Sequence, residues 1–228
     1  MKNLMVYIGP IKDFTPECKI LTKIQIDNCH RLGWKNEDIL LVTNWSYEYN
    51  GVKSIVVGDE HYCTVRPRSI KTSIIPTLID MGIIEKGQIY WNHDFDAFQI
   101  NWITDEDLGL DGFDFGLTDY GWRSTWSMGS YFVKSECRDV FLVAKDFIFR
   151  DYEDEQAIVE AMKTVPAKYK RMNITYNLGS KYVKHNFSKA TKPLKVAHFH
   201  PRKPGLMGVF SPYLPKDFIN ILNQYGYK

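Results

Sequence analysis

Asp94-Phe95-Asp96 sets two carboxylates one residue apart where the apolar run Gln88-Ile89-Tyr90-Trp91-Asn92-His93 stops. Two Asp oxygens at this spacing can share one hard cation, directly or through water, and leave coordination positions open for phosphate oxygens. That chemistry suits a nucleotide diphosphate. Asp105-Glu106-Asp107 repeats the spacing a few residues later, so position must separate the two motifs. The first follows a strand-like run directly. The second lies in a polar stretch and reads as a loop or helix start, where carboxylates meet the positive end of the helix dipole. An Asx-type turn at a strand end is the non-chemical reading of Asp94 and Asp96.

Asp154-Glu155-Gln156 opens a helix-like run through Ala157, Ile158, Ala161 and Met162. Acidic residues favour a helix start, and a carboxylate there is also suited to take a proton from an attacking hydroxyl. His198-Phe199-His200 follows Lys195-Val196-Ala197, and on a strand both imidazoles point to one face. An imidazole beside carboxylates favours Mn²⁺ over Mg²⁺, which prefers oxygen ligands.

The surrounding pattern alternates strands and helices. Leu4–Ile8 reads as a buried strand, followed by a helix with Thr15 as N-cap, Pro16 at its first position and Gly33 as its stop, whose inner face carries Ile20, Leu21, Ile24 and Leu32. Ile39–Thr43 and Val52–Val57 are two further strands. A second helix is expected over 69–81, kinked by Pro76 and ended by Gly82. The strand ending at Asp94 completes a βαββαβ order. This predicts a three-layer, Rossmann-like α/β domain with a mainly parallel mixed sheet, and a ligand crevice beyond the carboxyl ends of the strands. Asp94 then faces that crevice.

The 228 residues are expected to form one domain (1–228), with 44% hydrophobic residues to fill a core. No run approaches the ~18 apolar residues of a membrane span. The N-terminal ten residues lack a small-residue cleavage site and read as a first strand, so the expected compartment is the cytoplasm. Cys18, Cys29, Cys63 and Cys137 form no close CxxC pair, which predicts reduced thiols. Between Asp94 and Asp119 there are eight acidic residues and no Lys or Arg, whereas Lys163 to Lys203 holds eleven Lys or Arg and no acid. The two stretches are expected to differ in potential. Neither GxGxxG nor GxxxxGK[ST] occurs, so a dinucleotide oxidoreductase or a P-loop ATPase lacks its backbone cradle. Phosphates must be met by metal and cations instead.

Taken together, the first strand Val6-Tyr7-Ile8, Asp94-Phe95-Asp96, Asp154-Glu155-Gln156 and His198-Phe199-His200-Pro201-Arg202-Lys203-Pro204 resemble the nucleotide-sugar glycosyltransferases of the GT-A fold, over most of the chain as an order of elements. The resemblance implies a metal-dependent, hexosyltransferase-like enzyme that moves a sugar from a nucleotide diphosphate donor, a UDP-sugar, to a carbohydrate acceptor. It implies that Asp94, Asp96 and His198 hold Mn²⁺ or Mg²⁺, that Lys203 meets the leaving diphosphate, and that Arg68, Lys71 and Asp94 contact the nucleotide. Ile8, Gly9, Thr43 and Asn44 end the first two strands, where the base is expected to lodge. Trp126–Val133 looks like the small-residue strand that lines the sugar pocket in this family, with Asp119, Tyr120, Trp122 and Trp126 on the sugar or acceptor side. Asp154 or Glu155 serves the acceptor hydroxyl. In this division residues 1–100 bind the nucleotide, and 101–228 supply the acceptor site and the C-terminal metal segment. Two other readings remain. A sugar-phosphate nucleotidyltransferase shares the metal chemistry but usually needs a Gly-rich N-terminal loop, and a non-catalytic module using 163–203 to grip nucleic acid or another polyanion needs no metal.

Overall fold

Leu4, Met5 and Val6 lie buried along strand β1 (Lys2–Tyr7), at the centre of the fold. In the computed structural model, which describes residues 1–121 and 126–227, β1 leads into α1 (Pro16–Leu32), β2 (Ile39–Thr43), a two-residue β3 (Glu48–Tyr49), β4 (Val52–Val56), α2 (Ile70–Ser73), α3 (Ile75–Asp80) and β5 (Tyr90–His93). The chain continues through β6 (Ala97–Gln99), α4 (Asp105–Leu108), β7 (Phe115–Asp119), β8 (Trp126–Val133), α5 (Arg138–Phe149) and α6 (Asp154–Met162). It closes with β9 (Tyr169–Met172), β10 (Leu178–Gly179), α7 (Val183–Lys189), β11 (Val196–His198), α8 (Leu206–Phe210) and α9 (Lys216–Gln224).

The main sheet has the order β3-β4-β2-β1-β5-β8-β7-β9. β4, β2, β1 and β5 run parallel, β8 turns back against β5, and β7 pairs antiparallel with β8 and parallel with β9. Side chains alternate across a strand. Leu4 and Val6 therefore join the core beneath α2, α3, α5 and α6, while Met5 joins α1 through Ile26 and Cys29 on the opposite face. This is the expected three-layer α/β arrangement. A second sheet, β10-β11-β6, is backed by α1 and α9 through Ile24, Phe98, Phe218 and Leu222.

Four expectations change in detail. The second helix is two pieces rather than one kinked rod. Pro76 has no N–H to give Thr72, so the ladder stops at Ser73 and restarts at Ile75. The short β3, pairing antiparallel with β4, makes the strand before Asp94 the fifth in the chain. On α1, Ile20 and Leu32 are only half-buried, and the inward face instead carries Gln25 and Asn28 beside Leu21 and Ile24. Finally, the acidic and basic stretches are neighbours. β9 lies against β7, Arg171 pairs with Asp119 at 2.8 Å, Lys195 pairs with Asp107 at 2.8 Å, and Asp114 accepts from the Lys168 amide at 2.7 Å. Two of the cations thus pair directly with carboxylates of the acidic stretch.

Asp105-Glu106-Asp107 does open a helix, α4, with a Thr104–Asp107 capping box. The four cysteines are free thiols, and Cys29, Cys63 and Cys137 are buried. No helix among the described residues is long and apolar enough to cross a membrane.

Candidate active site

Asp94 follows β5 at the carboxyl end of the parallel strands, and its amide donates to the Gly129 carbonyl of β8 at 2.9 Å. Asp96 immediately precedes β6, which pairs antiparallel with β11, so that His198 lies across from Ala97 and the Phe199 amide bonds the Asp96 carbonyl at 2.9 Å. This register brings His198 Nε2 to 3.2 Å from Asp96 Oδ1 and 3.7 Å from Asp94 Oδ2. One ligand atom from each of the three residues lies within 4.8 Å of the others.

The set fits a divalent cation on its own chemistry. His198 Nδ1 donates to Asn177 Oδ1 at 2.9 Å, which orients the ring so that Nε2, the atom a cation would take in place of a proton, faces the carboxylates. Gly129 leaves the room: a Cβ there would stand 2.3 Å from His198 Cε1 and 3.1 Å from Asp94 Oδ2. Burial opposes charge on Asp96, yet the His198 imidazole outweighs it and holds the carboxyl down at about 2. For His198, burial lowers the pKa and Asp96 more than restores it. His200 parts from its neighbour. The strand ends at His198, and His200 turns to Glu17 at 3.0 Å on α1.

Lys71 sits between two acidic centres. Its carbonyl accepts from Asn92 Nδ2 at 2.9 Å and Tyr131 Oη at 3.2 Å. The buried ammonium is hydrogen-bonded to Asp94 and lies 3.9 Å from Asp154 Oδ2. Burial disfavours its charge, but Asp94 and Asp154 override this and hold the pKa above the ordinary lysine value.

Asp154 and Glu155 form the first turn of α6. Thr72 Oγ1 donates to Asp154 at 3.4 Å, and the Met128 amide donates to Glu155 at 3.2 Å. Burial, then the Asp154 charge, push the Glu155 carboxyl up to about 7. A carboxylate at that value is poised to exchange a proton near neutrality.

Two adjoining cavities meet at this pair. The larger, about 890 Å³, is lined by Ile8, Gly9, Arg68, Lys71, Asp94, Asp96, His198 and Lys203. The smaller, about 580 Å³, is lined by Arg66, Arg68, Tyr120, Trp126 and Glu153. Asp154, Glu155, Ser127 and Arg68 line both.

Three of the expected site residues stand off these walls. Thr43 spends its hydroxyl on the Trp45 carbonyl. Asn44 clamps Gly9, accepting from its amide at 3.1 Å and donating to its carbonyl at 2.8 Å, so it shapes the floor from below. Asp119 is tied to Arg171. Trp122 lies outside the described residues.

Several residues that hold the site had no sequence signal as site residues. Gln25 Nε2 on α1 donates to the carbonyls of Phe95 at 2.9 Å and Ala97 at 2.8 Å, and Asn28 donates to Gln99 at 2.7 Å. These amides fix the backbone around Asp96 from the helix behind it. Buried His93 stacks on Trp91 at 3.7 Å, bonds the Asp94 carbonyl at 2.8 Å, and is kept neutral by burial, which lowers its pKa to about 3. The polar residues on the inner face of α1 were a readable oddity. Asn177 was not, because its partner is twenty-one residues away.

No family model matches the chain, and no curated protein matches it. Solved structures do. The glycosyltransferase GlyE of Streptococcus pneumoniae TIGR4 aligns with a TM-score of 0.60 at 16% identity, covering 98% of this chain and 63% of that one. The chain thus spans less than two thirds of that protein's length. A glycosyltransferase involved in glycosylation of the major capsid of PBCV-1 aligns at TM-score 0.55 and 14% identity over 87% of this chain and 93% of its own. Mouse xyloside xylosyltransferase 1 aligns at 0.53 and 11% over 89% and 98%. At such identities the likeness establishes the fold: a mixed α/β, Rossmann-type architecture shared with these glycosyltransferases.

Proposed function

We propose that the protein is a metal-dependent glycosyltransferase of the GT-A type that moves a hexose-like sugar from a nucleotide diphosphate, a UDP-sugar, to a carbohydrate acceptor. The observation that carries this reading is the convergence of Asp94, Asp96 and His198 on the wall of a cavity that also holds Asp154 and Glu155. The likeness to glycosyltransferase structures agrees with it.

Asp94, Asp96 and His198 would hold the cation, and the imidazole in the set favours Mn²⁺ over Mg²⁺. When bound, that cation would offset the charge of the donor diphosphate. Ile8 and Gly9, steadied by Asn44, form the wall at the carboxyl end of β1 that receives the base. Arg68 and Lys203, both on the cavity wall, meet the diphosphate as its charge grows on departure. Lys71 holds Asp94 and Asp154 in fixed relation rather than reaching the nucleotide as a free cation.

The acceptor enters through the smaller cavity, where Tyr120 and Trp126 offer aromatic surface for a pyranose face. As the acceptor oxygen bonds the anomeric carbon and the bond to phosphate breaks, the hydroxyl proton passes to Glu155, with Asp154 as its charged neighbour. In this reading residues 1–100 provide most of the donor wall, and residues 101–228 provide the aromatic and acidic part of the acceptor wall, beside Arg66 and Arg68, and the third metal ligand.

Thermal stabilisation by a panel of nucleotides and nucleotide sugars, with and without Mn²⁺, tests this. A metal-dependent shift with one nucleotide class that disappears in Asp94→Ala is the expected result. A folded protein that responds to none of them would refute the assignment.

A further inference from the structure

His198 closes the three-residue strand β11, and the chain turns away directly after it, taking His200 to Glu17. The hydrogen bond from Nδ1 to Asn177 aims Nε2 at the carboxylates but leaves the ring free to tilt about that bond. A second contact meets the ring itself. Tyr120 stands against it at 5.3 Å between centroids and 70° between planes, an edge-to-face arrangement.

The fold brings Tyr120 to this position and holds it there. Along β7 and β8 the register shifts: Leu117 faces Tyr131, but Thr118 faces Ser127, so that Met128, Gly129 and Ser130 fall out of the β7 pairing. Bulges of this kind bend a strand and re-aim the side chains beside it. On one side of Tyr120, Asp119 is tied to Arg171 at 2.8 Å. On the other, Gly121 is left-handed at φ 91°, and a Cβ there would fall 2.3 Å from Ile174 Cδ1 and 2.4 Å from Asn186 Nδ2. The backbone is thus fixed on both sides of the ring.

The ring itself rests on a glycine. A Cβ on Gly179 would fall 2.3 Å from Tyr120 Cε2 and 2.4 Å from Cζ, so only a residue without a side chain admits the phenol here. Gly179 is also the register partner of His198 in the parallel pairing of β10 with β11. The seat for Tyr120 therefore lies on the strand next to the imidazole. Gly129 makes the matching space beside His198 Cε1. Tyr120 lines the smaller cavity as well, so one ring borders both the metal group and the acceptor side.

We propose that Tyr120 is a positioning residue of the metal group: seated on Gly179, its ring sets the tilt of the His198 imidazole at which Nε2 faces Asp94 and Asp96. The inference rests on the metal-binding reading of those three side chains. Asn177 fixes one ring nitrogen, and Tyr120 fixes the rotation about it. The contact is made by the aromatic ring and does not need the hydroxyl.

The test titrates Mn²⁺ alone into the whole chain by calorimetry, on variants first shown to be folded. Tyr120→Leu is expected to weaken Mn²⁺ about 10-fold, and Tyr120→Phe, which keeps the ring, to stay within about 2-fold of the parent. Gly179→Ala keeps the phenol but crowds it off its seat, and should also weaken Mn²⁺ about 10-fold. A second readout needs no metal. The His198 ring resonances, identified as those missing from His198→Gln, should shift in Tyr120→Leu and Gly179→Ala and hold in Tyr120→Phe. A parent that binds Mn²⁺ beside a Tyr120→Leu variant that binds it equally, or a Tyr120→Phe variant as weak as Tyr120→Leu, would overturn this role and leave the metal reading standing. A parent that binds no Mn²⁺ would overturn both.

Discussion

The two carboxylate pairs are built from the same chemistry and held in opposite states. Asp96 is held down at about 2 because an imidazole lies 3.2 Å away, whereas Glu155 is raised to about 7 because burial is reinforced by the charge of Asp154. Lys71, which lies between the two centres, is hydrogen-bonded to Asp94 and stands at 3.9 Å from Asp154, so it serves the metal side first. Pairs of acids whose surroundings push their pKa values apart divide the work of charge binding and proton transfer. Here the division follows from which pair has the closer cation.

Removing the metal side should have the largest effect. Asp94→Asn is expected to lower turnover of a nucleotide sugar about 10⁴-fold, the equivalent of several kcal/mol of lost charge stabilisation. Near-normal turnover at saturating Mn²⁺ would show that the two pairs are not divided as described. Next comes the acceptor side. Glu155→Gln should reduce kcat about 10³-fold and flatten a profile that otherwise rises with pH through about 7. A profile unchanged in the variant would move the proton acceptor elsewhere.

A smaller effect sharpens the role of the strand between the pairs. Gly129→Ala pushes a methyl group toward His198 and Asp94, and should weaken Mn²⁺ binding about 10–100-fold, measured by calorimetry on a variant of normal melting temperature. The smallest effect is on stability. The folded state keeps a proton on Glu155 that the unfolded chain gives up above its ordinary carboxylate value. The associated stabilisation is therefore complete below about 4.5 and is lost as pH rises to about 7. The loss is on the order of 2 kcal/mol, after allowing for partial exposure. Urea unfolding at pH 5 and pH 8 should show it in the parent and not in Glu155→Gln. An equal loss in both would assign the pH dependence to other groups.

The motif at Asp94 was readable because a hydrophobic run announces a buried strand, and carboxylates at its end have few structural uses. The strand and helix order followed from the same periodicity. His198 entered through resemblance, since nothing local distinguishes it from His200; only the pairing of β11 with β6 separates them. Gln25 and Asn28 stand out as polar residues on an apolar helix face, but their main-chain partners, like the Asn177 partner of His198, are distant in sequence and hidden from it. Asn44 was placed in the right neighbourhood with a different task, supporting Gly9. The contact between the acidic and basic stretches was hidden for the same reason: a linear count cannot see β9 lying against β7.

The pairing of β6 with β11 involves only three residues on each strand, joining positions a hundred residues apart. A slip of one residue would turn His198 away from Asp96 to the opposite face. A ligand that requires all three side chains rewards the native alignment alone. Under the proposed metal binding, a cation held by all three side chains would therefore favour the one register that brings His198 to Asp96.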